Sequence, residues 1–486
     1  MRVVITGGCG FLGQLLGREI LRRGRLTTHA ITGAETSAAV KEVLLADALQ
    51  PAQMLFNSLK SDAQVVIGDV ADAGYCKALV SGADGPVSVF HLGAIMSGDG
   101  EADFDRCMDV NLHGTMHLLE AARHCGAPRP RFVMASAGAT LGSGAPTDFV
   151  TKDDIVSDAT RATPHTTYGM TKACTELLLS DYSRRGFVDG RACRLPSVVV
   201  RAGAPNAATT GCFSSVVREP LAGNDVVAPI EPTVRHAVTS HRTAIDALLT
   251  LHELDSAKVD AALGFDRTVF VPSTAVSLAD MEAALRRVVA PSSHSALGQV
   301  TYQPDEKLSA AVASFPTKVD ASRAVALGMV PSLDAEGMVR AYMEDFPEAI
   351  APSIKPAPQP APRLTAAEAA AAGGPPLSVA LITGGGTGIG RAVALRLADG
   401  GWERDGTTRA LVLTGRRADV LEETAQAVCE EHGDAVHVLV HPADLTRPAD
   451  VESLFGAIST EFGRLDVLFN NAGAGYPPTP LSLIHI

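Results

Sequence analysis

The stretch Thr6-Gly7-Gly8-Cys9-Gly10-Phe11-Leu12-Gly13 decides the fold, because it links a short apolar strand, residues 3–5, to a helix predicted over residues 13–23. A glycine-rich turn between a strand and a helix is typical of dinucleotide binding in parallel α/β sheets. The helix N-terminus leaves backbone N–H groups free and carries partial positive charge, which suits a diphosphate. The motif therefore predicts a dinucleotide site near the start of the chain.

The three spaced glycines of this motif have different mechanical roles. Gly7 permits the tight turn, Gly10 lets the backbone approach a pyrophosphate, and Gly13 lets the helix pack on the strand. Phe11 and Leu12 stand at the start of the helix, and we expect both to contact the cofactor.

Apolar runs of strand length alternate with helical patterns through the first 345 residues. The later runs are residues 65–67, 87–92, 131–134 and 193–200. Such alternation predicts an α/β fold, a Rossmann-type doubly wound parallel sheet. We expect one domain over residues 1–346, with a smaller C-terminal substrate lobe mainly from about residue 205 to 346.

The composition changes after this domain. Residues 347–376 are rich in Pro and Ala, with few large apolar side chains, and are predicted to form a linker. A second strand and glycine-rich turn then follow, so residues 377–486 are expected to form a partial second Rossmann unit. The repetition is of a fold type and does not indicate a solenoid.

Charge and cysteine content exclude several classes of function. The net charge of −13 is spread along the chain, without the basic stripe that nucleic-acid binding needs. The eight cysteines form no C-x-x-C pair, and no metal site is predicted. Met1 runs at once into a strand, and no apolar run reaches about 18 residues. We therefore expect a cytoplasmic protein without nucleic-acid or membrane partners.

Tyr168-Gly-Met-Thr-Lys172 places a phenol and an ammonium four residues apart, on one face of a predicted helix. A tyrosine titrates near 10, so a base that works near neutral pH needs its pKa lowered by about 3 units, or roughly 4 kcal/mol. A nearby lysine and an oxidised nicotinamide can supply much of that preference. The spacing predicts an acid/base pair.

Other motifs occur in a fixed order along the same region. They are Asp69-Val70, His91-Leu92-Gly93-Ala94, Val110-Asn111-Leu112-His113-Gly114-Thr115 and Arg194-Leu195-Pro196-Ser197-Val198-Val199-Val200-Arg201. With the glycine turn and the Tyr/Lys pair, they resemble the extended short-chain dehydrogenase/reductase family of NAD-dependent epimerases and dehydratases. The resemblance implies that NAD is bound by Asp69, Val70, Leu92, Ala94, Asn111, Tyr168, Lys172, Pro196 and Val198 besides the glycine turn.

Longer segments at residues 182–191, 205–208 and 218–223 are similar to the sugar-acid dehydrogenases of that family. This similarity implies oxidation of the C2 hydroxyl of a four-carbon sugar acid, D-erythronate to 2-dehydro-D-erythronate. Tyr168 takes the hydroxyl proton in this hypothesis, and Lys172 lowers the tyrosine pKa and holds the nicotinamide ribose. The expected partners are a small sugar acid and a second copy of the chain in a homodimer.

Substrate residues are harder to assign than the acid/base pair. Three residues of the expected substrate lobe are candidates for binding a carboxylate: Asn206, Arg235 and Arg242. Each is equally compatible with an ordinary residue of the surface or of a loop. His91, at a strand end, is interpreted as a packing residue beside the cofactor and not as a general base.

The sequence departs from the family pattern at the hydroxyl that orients the substrate. That position is Ala137, while Ser136 stands one residue early and, on a strand, faces the other way. Ser136 and Thr140 remain the candidates for this role. Loss of the hydrogen bond is expected to cost roughly 2 to 4 kcal/mol of transition-state stabilisation.

The carboxylate that binds the adenine ribose is not where the fingerprint predicts it. The second strand is assigned to residues 26–32, and Glu35 is the nearest acid, although it lies far along the loop. No arginine at Thr32 or Gly33 favours a 2'-phosphate, so NAD is preferred over NADP. Asp69 either accepts from the adenine amino group or caps the next helix.

The second unit repeats the glycine turn as Thr383-Gly384-Gly385-Gly386-Thr387-Gly388-Ile389-Gly390. Arg416 ends its next strand, and a guanidinium there suits the 2'-phosphate of NADP. With Asp444 and Asn471, this part resembles the first half of a smaller short-chain dehydrogenase. The tail, residues 481–486, reads like a translated sequencing adapter, and we expect a truncated or artefactual terminus.

Two other functions remain open at this stage. A nucleotide-sugar epimerase or dehydratase shares the fold and the Tyr/Lys pair. A dinucleotide-binding sensor without turnover is also compatible with Ala137 and with the missing ribose carboxylate.

Overall fold

The computed structural model describes residues 1–29, 35–51, 55–142, 149–203, 210–357, 377–403 and 408–472. The chain divides into two compact units, residues 1–358 and 359–486, and each contains its own parallel sheet. Among the described helices, none combines the length and the apolar composition that a bilayer crossing requires.

Sixteen strands are described in the first unit. In chain order they are β1 (Arg2–Thr6), β2 (Arg25–His29), β3 (Glu35–Ala39), β4 (Glu42–Asp47), β5 (Gln64–Ile67), β6 (Val87–His91), β7 (Arg131–Ala137), β8 (Ile155–Val156), β9 (Asp189–Leu195), β10 (Ser197–Val199), β11 (Val226–Ala228), β12 (Arg235–Ser240), β13 (Thr268–Phe270), β14 (Thr274–Ser277), β15 (Val300–Tyr302) and β16 (Lys318–Val319). Seven of them form the main sheet, in the order β13-β9-β7-β6-β1-β4-β5, and every pairing within it is parallel.

Helices cover both faces of the main sheet, and others belong to the smaller lobe; fourteen are described in this unit. They are α1 (Phe11–Arg23), α2 (Asn57–Asp62), α3 (Ala73–Val80), α4 (Ser97–Ala102), α5 (Phe104–Cys107), α6 (Gly114–Arg123), α7 (Thr167–Arg184), α8 (Cys212–Leu221), α9 (His241–Glu253), α10 (Ser256–Leu263), α11 (Leu278–Val288), α12 (Glu306–Ala313), α13 (Ser322–Ala326) and α14 (Ala335–Asp345). A π-helical turn spans Met108–His113, and 3₁₀ turns span Gly138–Leu141, Pro291–Ala296 and Pro347–Ala349.

The two faces of the sheet have separate hydrophobic cores, as strand alternation requires. In β1, Val3 and Ile5 belong to one core and Val4 belongs to the other. The predicted doubly wound Rossmann fold is therefore confirmed. A smaller lobe carries the three-stranded sheet β10-β12-β14 and the pair β11-β15.

The second strand of the main sheet is not the one that the sequence suggested. Instead, β2 and β3 pair as an antiparallel hairpin, from Arg25↔Ala39 to His29↔Glu35. The strand that lies beside β1 is β4, which contains the apolar run Val43–Ala46. The assignment of residues 26–29 to the main sheet was wrong, because the inserted hairpin separates α1 from the next sheet strand, and residues 30–32 lie outside the described residues.

The first unit also extends beyond the expected boundary at residue 346. Ile354 is buried, the amide of Ala351 donates to Leu221 O at 2.8 Å, and Pro356 forms a bridge with Val289. Residues 347–357 are thus packed on this unit, although their proline content suggested a linker.

The second unit has a four-stranded parallel sheet in the order β19-β18-β17-β20. Its strands are β17 (Leu377–Thr383), β18 (Thr408–Gly415), β19 (Val436–Pro442) and β20 (Val467–Phe469), and its helices are α15 (Gly388–Ala398), α16 (Ala418–His432) and α17 (Pro448–Phe462). This is the expected beginning of a second Rossmann sheet. The tail, residues 481–486, lies outside the described residues.

Candidate active site

The glycine turn between β1 and α1 is built for close backbone approach. Gly7 has φ +66°, and a Cβ placed on it would lie 2.8 Å from the amide nitrogen of Gly93. A Cβ on Gly13 would lie 2.3 Å from Gly7 O, so neither position accepts a side chain without movement. Helix α1 begins after Gly10 without a side-chain cap and has no acid in its first turn. These residues fit the diphosphate of a dinucleotide.

Asp47, at the carboxyl end of β4, is the acid that sequence reasoning missed. Its Oδ2 accepts from the amide of Cys9, inside the glycine turn, at 3.0 Å. A carboxylate at the end of the strand next to β1 is where an adenine ribose is bound in this kind of fold. The apolar run that ends in this acid was the available signal, and the inserted hairpin hid it by lengthening the spacing.

Glu35, the earlier candidate for the ribose, lies elsewhere. Its carboxylate accepts from the side chain of Arg131 and from the amide of Ser256, the latter at 2.9 Å. Arg131 begins β7, so Glu35 lies at the amino edge of the sheet, opposite the glycine turn. Glu35 is therefore not a ribose ligand.

The loops after β5 and β6 meet near the glycine turn. Leu92 donates its amide to Thr6 O at 3.1 Å, and Ala94 follows in the same loop. Asn111, in the π-helical turn, binds both backbone atoms of Ile95 at 2.8 and 3.0 Å. Its amide therefore holds the loop after β6 in position.

The carboxylate of Asp69 binds other residues of the chain. It accepts from the amide of Ala71 at 2.9 Å and from the guanidinium of Arg106 at 2.6 Å. The cap of α3 is Asp72 and not Asp69. Val70 packs beside Gly114, where a Cβ would lie 2.8 Å from its side chain.

The motif after β9 leads from the main sheet into the smaller lobe. Pro196 separates β9 from β10, and Val198 pairs with Thr239 of β12. Both residues are half-buried at the carboxyl end of the main sheet, on the side of the glycine turn.

His91 is enclosed between two hydroxyl groups. Its Nδ1 lies 2.6 Å from Thr6 Oγ1, and its Nε2 lies 2.9 Å from Thr115 Oγ1. Burial lowers the pKa of His91 to about 3, so the ring is neutral. This arrangement supports the packing role rather than a general base.

Tyr168 and Lys172 lie together in the first turns of α7. The helix is capped by Thr166, whose hydroxyl accepts from Gly169 N at 3.0 Å. Tyr168 and Lys172 are both buried, and the Lys172 ammonium lies 5.8 Å from the centre of the tyrosine ring. Lys172 Nζ donates to the carbonyl of Ala135, on β7, at 2.8 Å. The pair is therefore fixed against the carboxyl end of the sheet.

Electrostatics at this pair differ from the sequence-based expectation. Burial raises the pKa of Tyr168 to about 12, and the charge of Arg201 opposes that rise. Burial also lowers the pKa of Lys172 to about 8. The protein by itself thus disfavours the phenolate, because desolvation outweighs the neighbouring positive charges.

The Ser136 hydroxyl is bound to a side chain of α7, the helix that carries the phenol. This hydroxyl is buried and donates to Glu176 Oε1 at 2.5 Å, and Glu176 is held by Arg194 at 2.7 and 2.9 Å. Thr140 donates to the carbonyl of Ala137 at 3.0 Å. Both candidate hydroxyls therefore donate to protein acceptors, and a role for either in orienting the substrate stays a prediction.

The predicted substrate arginines are bound to carboxylates. Arg235 pairs with Asp280 at 3.0 Å, and Arg242 pairs with Asp345 at 2.7 Å; both cations are about half exposed. Both guanidinium groups therefore already have a carboxylate partner, and their role in binding the substrate stays a prediction. Asn206 lies outside the described residues.

The second unit repeats the glycine geometry at the end of β17. A Cβ on Gly390 would lie 2.0 Å from Gly384 O, and Gly388 and Ile389 begin α15. Asn471 donates its amide to Thr383 Oγ1 at 2.8 Å.

The strand ends of this unit carry its other candidates. Arg416 is exposed directly after β18, the strand beside β17. Asp444 follows β19 and accepts from the amide of Thr446 at 3.1 Å.

Comparison with known proteins matches each unit to a family. Residues 3–247 match the NAD dependent epimerase/dehydratase family, and residues 378–484 match the short chain dehydrogenase family. The chain is 39% identical over 347 residues to D-erythronate dehydrogenase of Cupriavidus necator, covering 71% of this chain and 98% of that protein. It is 30% identical to D-erythronate dehydrogenase of Haemophilus influenzae, covering 71% and 99%.

A solved structure is similar to the same region. It is described as a nucleoside-diphosphate-sugar epimerase from Agrobacterium tumefaciens, and it matches with a TM-score of 0.59 and 31% identity. The match covers 72% of this chain and 95% of that one.

Proposed function

The chain belongs to the NAD dependent epimerase/dehydratase family, and from that premise we propose that its first unit oxidises the C2 hydroxyl of D-erythronate with NAD as hydride acceptor. The observation that carries the proposal is the buried pair of Tyr168 and Lys172, fixed on α7 at the carboxyl edge of a sheet with a glycine crevice. The two relatives named D-erythronate dehydrogenase support the substrate, because the match covers nearly their whole length.

The chain's own residues have separable tasks in this reaction. The glycine turn and the N-terminus of α1 would hold the diphosphate of the dinucleotide. Bound there, the oxidised nicotinamide would supply the hydride acceptor and a positive charge beside the phenol. Tyr168 takes the proton of the C2 hydroxyl as the C2–H hydride leaves and the carbonyl forms. Lys172 provides a cation one helical turn away.

Asp47 favours NAD over NADP in the first unit. Its carboxylate, at the end of β4, suits the ribose hydroxyls and repels a 2'-phosphate. Arg416 stands at the corresponding strand end of the second unit and suits that phosphate, so we propose NADP for the second site.

The test of this function uses D-erythronate labelled with deuterium at C2. Incubation with the full-length protein and NAD should give NADH absorbance, 2-dehydro-D-erythronate and transfer of the deuterium to the reduced cofactor. Deuterium at C3 is the matched control and should stay in the product. Absence of NADH, or transfer from C3, would contradict the proposed reaction.

A nucleotide-sugar epimerase is the second candidate, because the similar solved structure carries that description. An epimerase returns the hydride to its substrate and leaves no net NADH. Conversion of a nucleoside-diphosphate sugar to its epimer, without NADH accumulation, would support this candidate against the dehydrogenase.

A further inference from the structure

Arg201 is a half-buried cation that the proposed mechanism does not use. It lies two residues beyond β10, in the segment that leads from the carboxyl edge of the main sheet into the smaller lobe. Its amide donates to Ser214 Oγ at 3.2 Å, and its carbonyl accepts from Arg218 at 3.1 Å. Both contacts are made by its backbone, and neither gives its guanidinium a partner.

The other buried arginines of the first unit have carboxylate partners. The partners are Glu35 for Arg131, Asp189 for Arg191, Glu176 for Arg194, Glu219 for Arg218 and Asp260 for Arg267. No carboxylate among the described residues lies within ion-pair distance of Arg201. Burial of a cation without a counter-charge is unfavourable, so such a site is suited to an anion that arrives from outside.

One ring contact and one electrostatic effect place the Arg201 guanidinium at the crevice. Its central carbon lies 5.9 Å from the centre of the Phe11 ring, the first residue of α1. Its charge also acts on the Tyr168 phenol and opposes the effect of burial there. Arg201 is therefore close both to the dinucleotide turn and to the group that takes the proton.

We propose that Arg201 binds the carboxylate of the substrate. The proposal rests on the function argued above, because the C1 carboxylate of a 2-hydroxy acid is bonded to the carbon that is oxidised. A cation beside the proton acceptor is therefore correctly placed for it. Guanidinium binds carboxylate through two parallel hydrogen bonds, which would fix the C2 hydroxyl relative to the phenol. This pairing selects 2-hydroxy acids over neutral polyols.

The cofactor diphosphate is the other anion that could reach this region. The position of Arg201 beside the phenol favours the substrate, since the diphosphate is expected at the N-terminus of α1. The two sources differ in what the loss of Arg201 would weaken, namely the affinity for the acid or the affinity for NAD.

The test compares full-length Arg201→Met and Arg201→Lys with the wild type. Arg286→Met is the matched control, because Arg286 is exposed and already paired with Glu282. Oxidation of D-erythronate and of erythritol, which has CH2OH in place of the carboxylate, is followed with NAD, and NAD binding is measured by calorimetry. Thermal unfolding checks that each variant is folded.

Arg201→Met should lower kcat/KM for D-erythronate by at least about 30-fold, mainly through KM. On the alkaline plateau of each variant's pH profile, where the phenol is ionised, the rate with erythritol and the Kd for NAD should stay within about threefold, and Arg201→Lys should retain part of the activity on the acid. An equal loss with both substrates, an unchanged KM for the acid, or a matching rise in the Kd for NAD would overturn the proposal.

A binding measurement separates this proposal from the proposed function. The NADH-loaded protein is titrated with D-erythronate, glycolate and lactate. Binding that is lost in Arg201→Met supports the carboxylate site, even if D-erythronate is not oxidised and the substrate assignment fails. Absence of binding in the wild type, or binding that survives the substitution, overturns the site.

Discussion

At the residue scale, the Tyr168 phenol is governed by a competition between burial and charge. Burial raises its pKa to about 12, while Arg201 acts in the opposite direction. The ammonium of Lys172, whose pKa burial lowers to about 8, is bound to the carbonyl of Ala135. The proton acceptor therefore depends on cationic neighbours to reach its phenolate form.

The pH dependence of the reaction should reflect this competition. Oxidation needs the phenolate, so its rate should rise with pH below the apparent pKa, whereas reduction of the 2-oxo acid needs the phenol and should fall. Removal of a cation raises the pKa of the phenol, so Arg201→Gln should shift both profiles to higher pH. Profiles of kcat/KM for this variant and for Arg286→Gln, at an exposed arginine paired with Glu282, check the prediction, and equal profiles for the two variants would contradict it.

Ala137 offers a gain-of-function prediction. It ends β7, directly before the 3₁₀ turn Gly138–Leu141, and the neighbouring hydroxyls of Ser136 and Thr140 bind protein atoms. Ala137→Ser should add a hydrogen bond to the substrate hydroxyl and raise kcat/KM about tenfold or more. Ala139→Ser, two residues on, is the control. Steady-state rates that are unchanged in both variants would exclude this role for position 137.

At the element scale, the hairpin formed by β2 and β3 is held by buried charges at the amino edge of the sheet. Asp189 has no exposed side-chain surface and accepts from His29 at 3.1 Å, from Arg191 at 2.7 Å and from Ser256 at 2.6 Å. Burial by itself would raise the pKa of Asp189, but these hydrogen bonds hold it well below its usual range. The hairpin thus anchors to the sheet without joining it.

Asp189→Asn should destabilise the first unit by about 3 to 5 kcal/mol, because it leaves buried arginines without their counter-charge. Asp181→Asn, which removes only exposed ion pairs with Arg184 and Arg185, should cost less than about 1 kcal/mol. Wild-type stability should also fall as the pH drops below about 4, where an unfolded aspartate gains its proton, and Asp189→Asn should reduce that dependence. Urea unfolding between pH 3 and pH 8 measures both effects. Equal losses of unfolding free energy in the two variants would contradict the expected extra cost of removing a buried charge.

The sequence predicted those elements whose signals are local. The glycine turn, the strand before it and the four-residue spacing of Tyr168 and Lys172 each lie in one short segment. The hairpin was not predicted, because the apolar and β-branched residues of β2 have the same composition as a sheet strand. The pairing of Arg235 and Arg242 could not be predicted either, since their partners lie 45 and 103 residues away in the chain. Asp47 had a local signal, the apolar run of β4 that it ends. The fixed spacing expected between the glycine turn and the ribose carboxylate obscured this signal.

At the scale of the whole molecule, two units carry the same turn with opposite charges at the neighbouring strand end. Asp47 ends β4 in the first unit, and Arg416 follows β18 in the second. The chain therefore has two candidate dinucleotide sites, for which we propose different cofactors. Assembly as a homodimer stays a prediction.

Calorimetric titration of the full chain should resolve these two sites. NAD should bind to the first and NADP to the second. Asp47→Asn should weaken NAD binding by about tenfold and leave NADP binding unchanged, and Arg416→Ala should do the reverse. Loss of both affinities in either variant would contradict the assignment of one cofactor to each unit.

The most direct test of the central claim is the rate of NADH formation from NAD and D-erythronate by full-length Tyr168→Phe. Tyr182→Phe, on the same helix and bonded to Glu120, is the matched control. We predict a loss of at least about 100-fold in kcat for Tyr168→Phe, with an unchanged Kd for NAD and a normal rate in the control. Turnover by Tyr168→Phe at the wild-type rate would contradict the account.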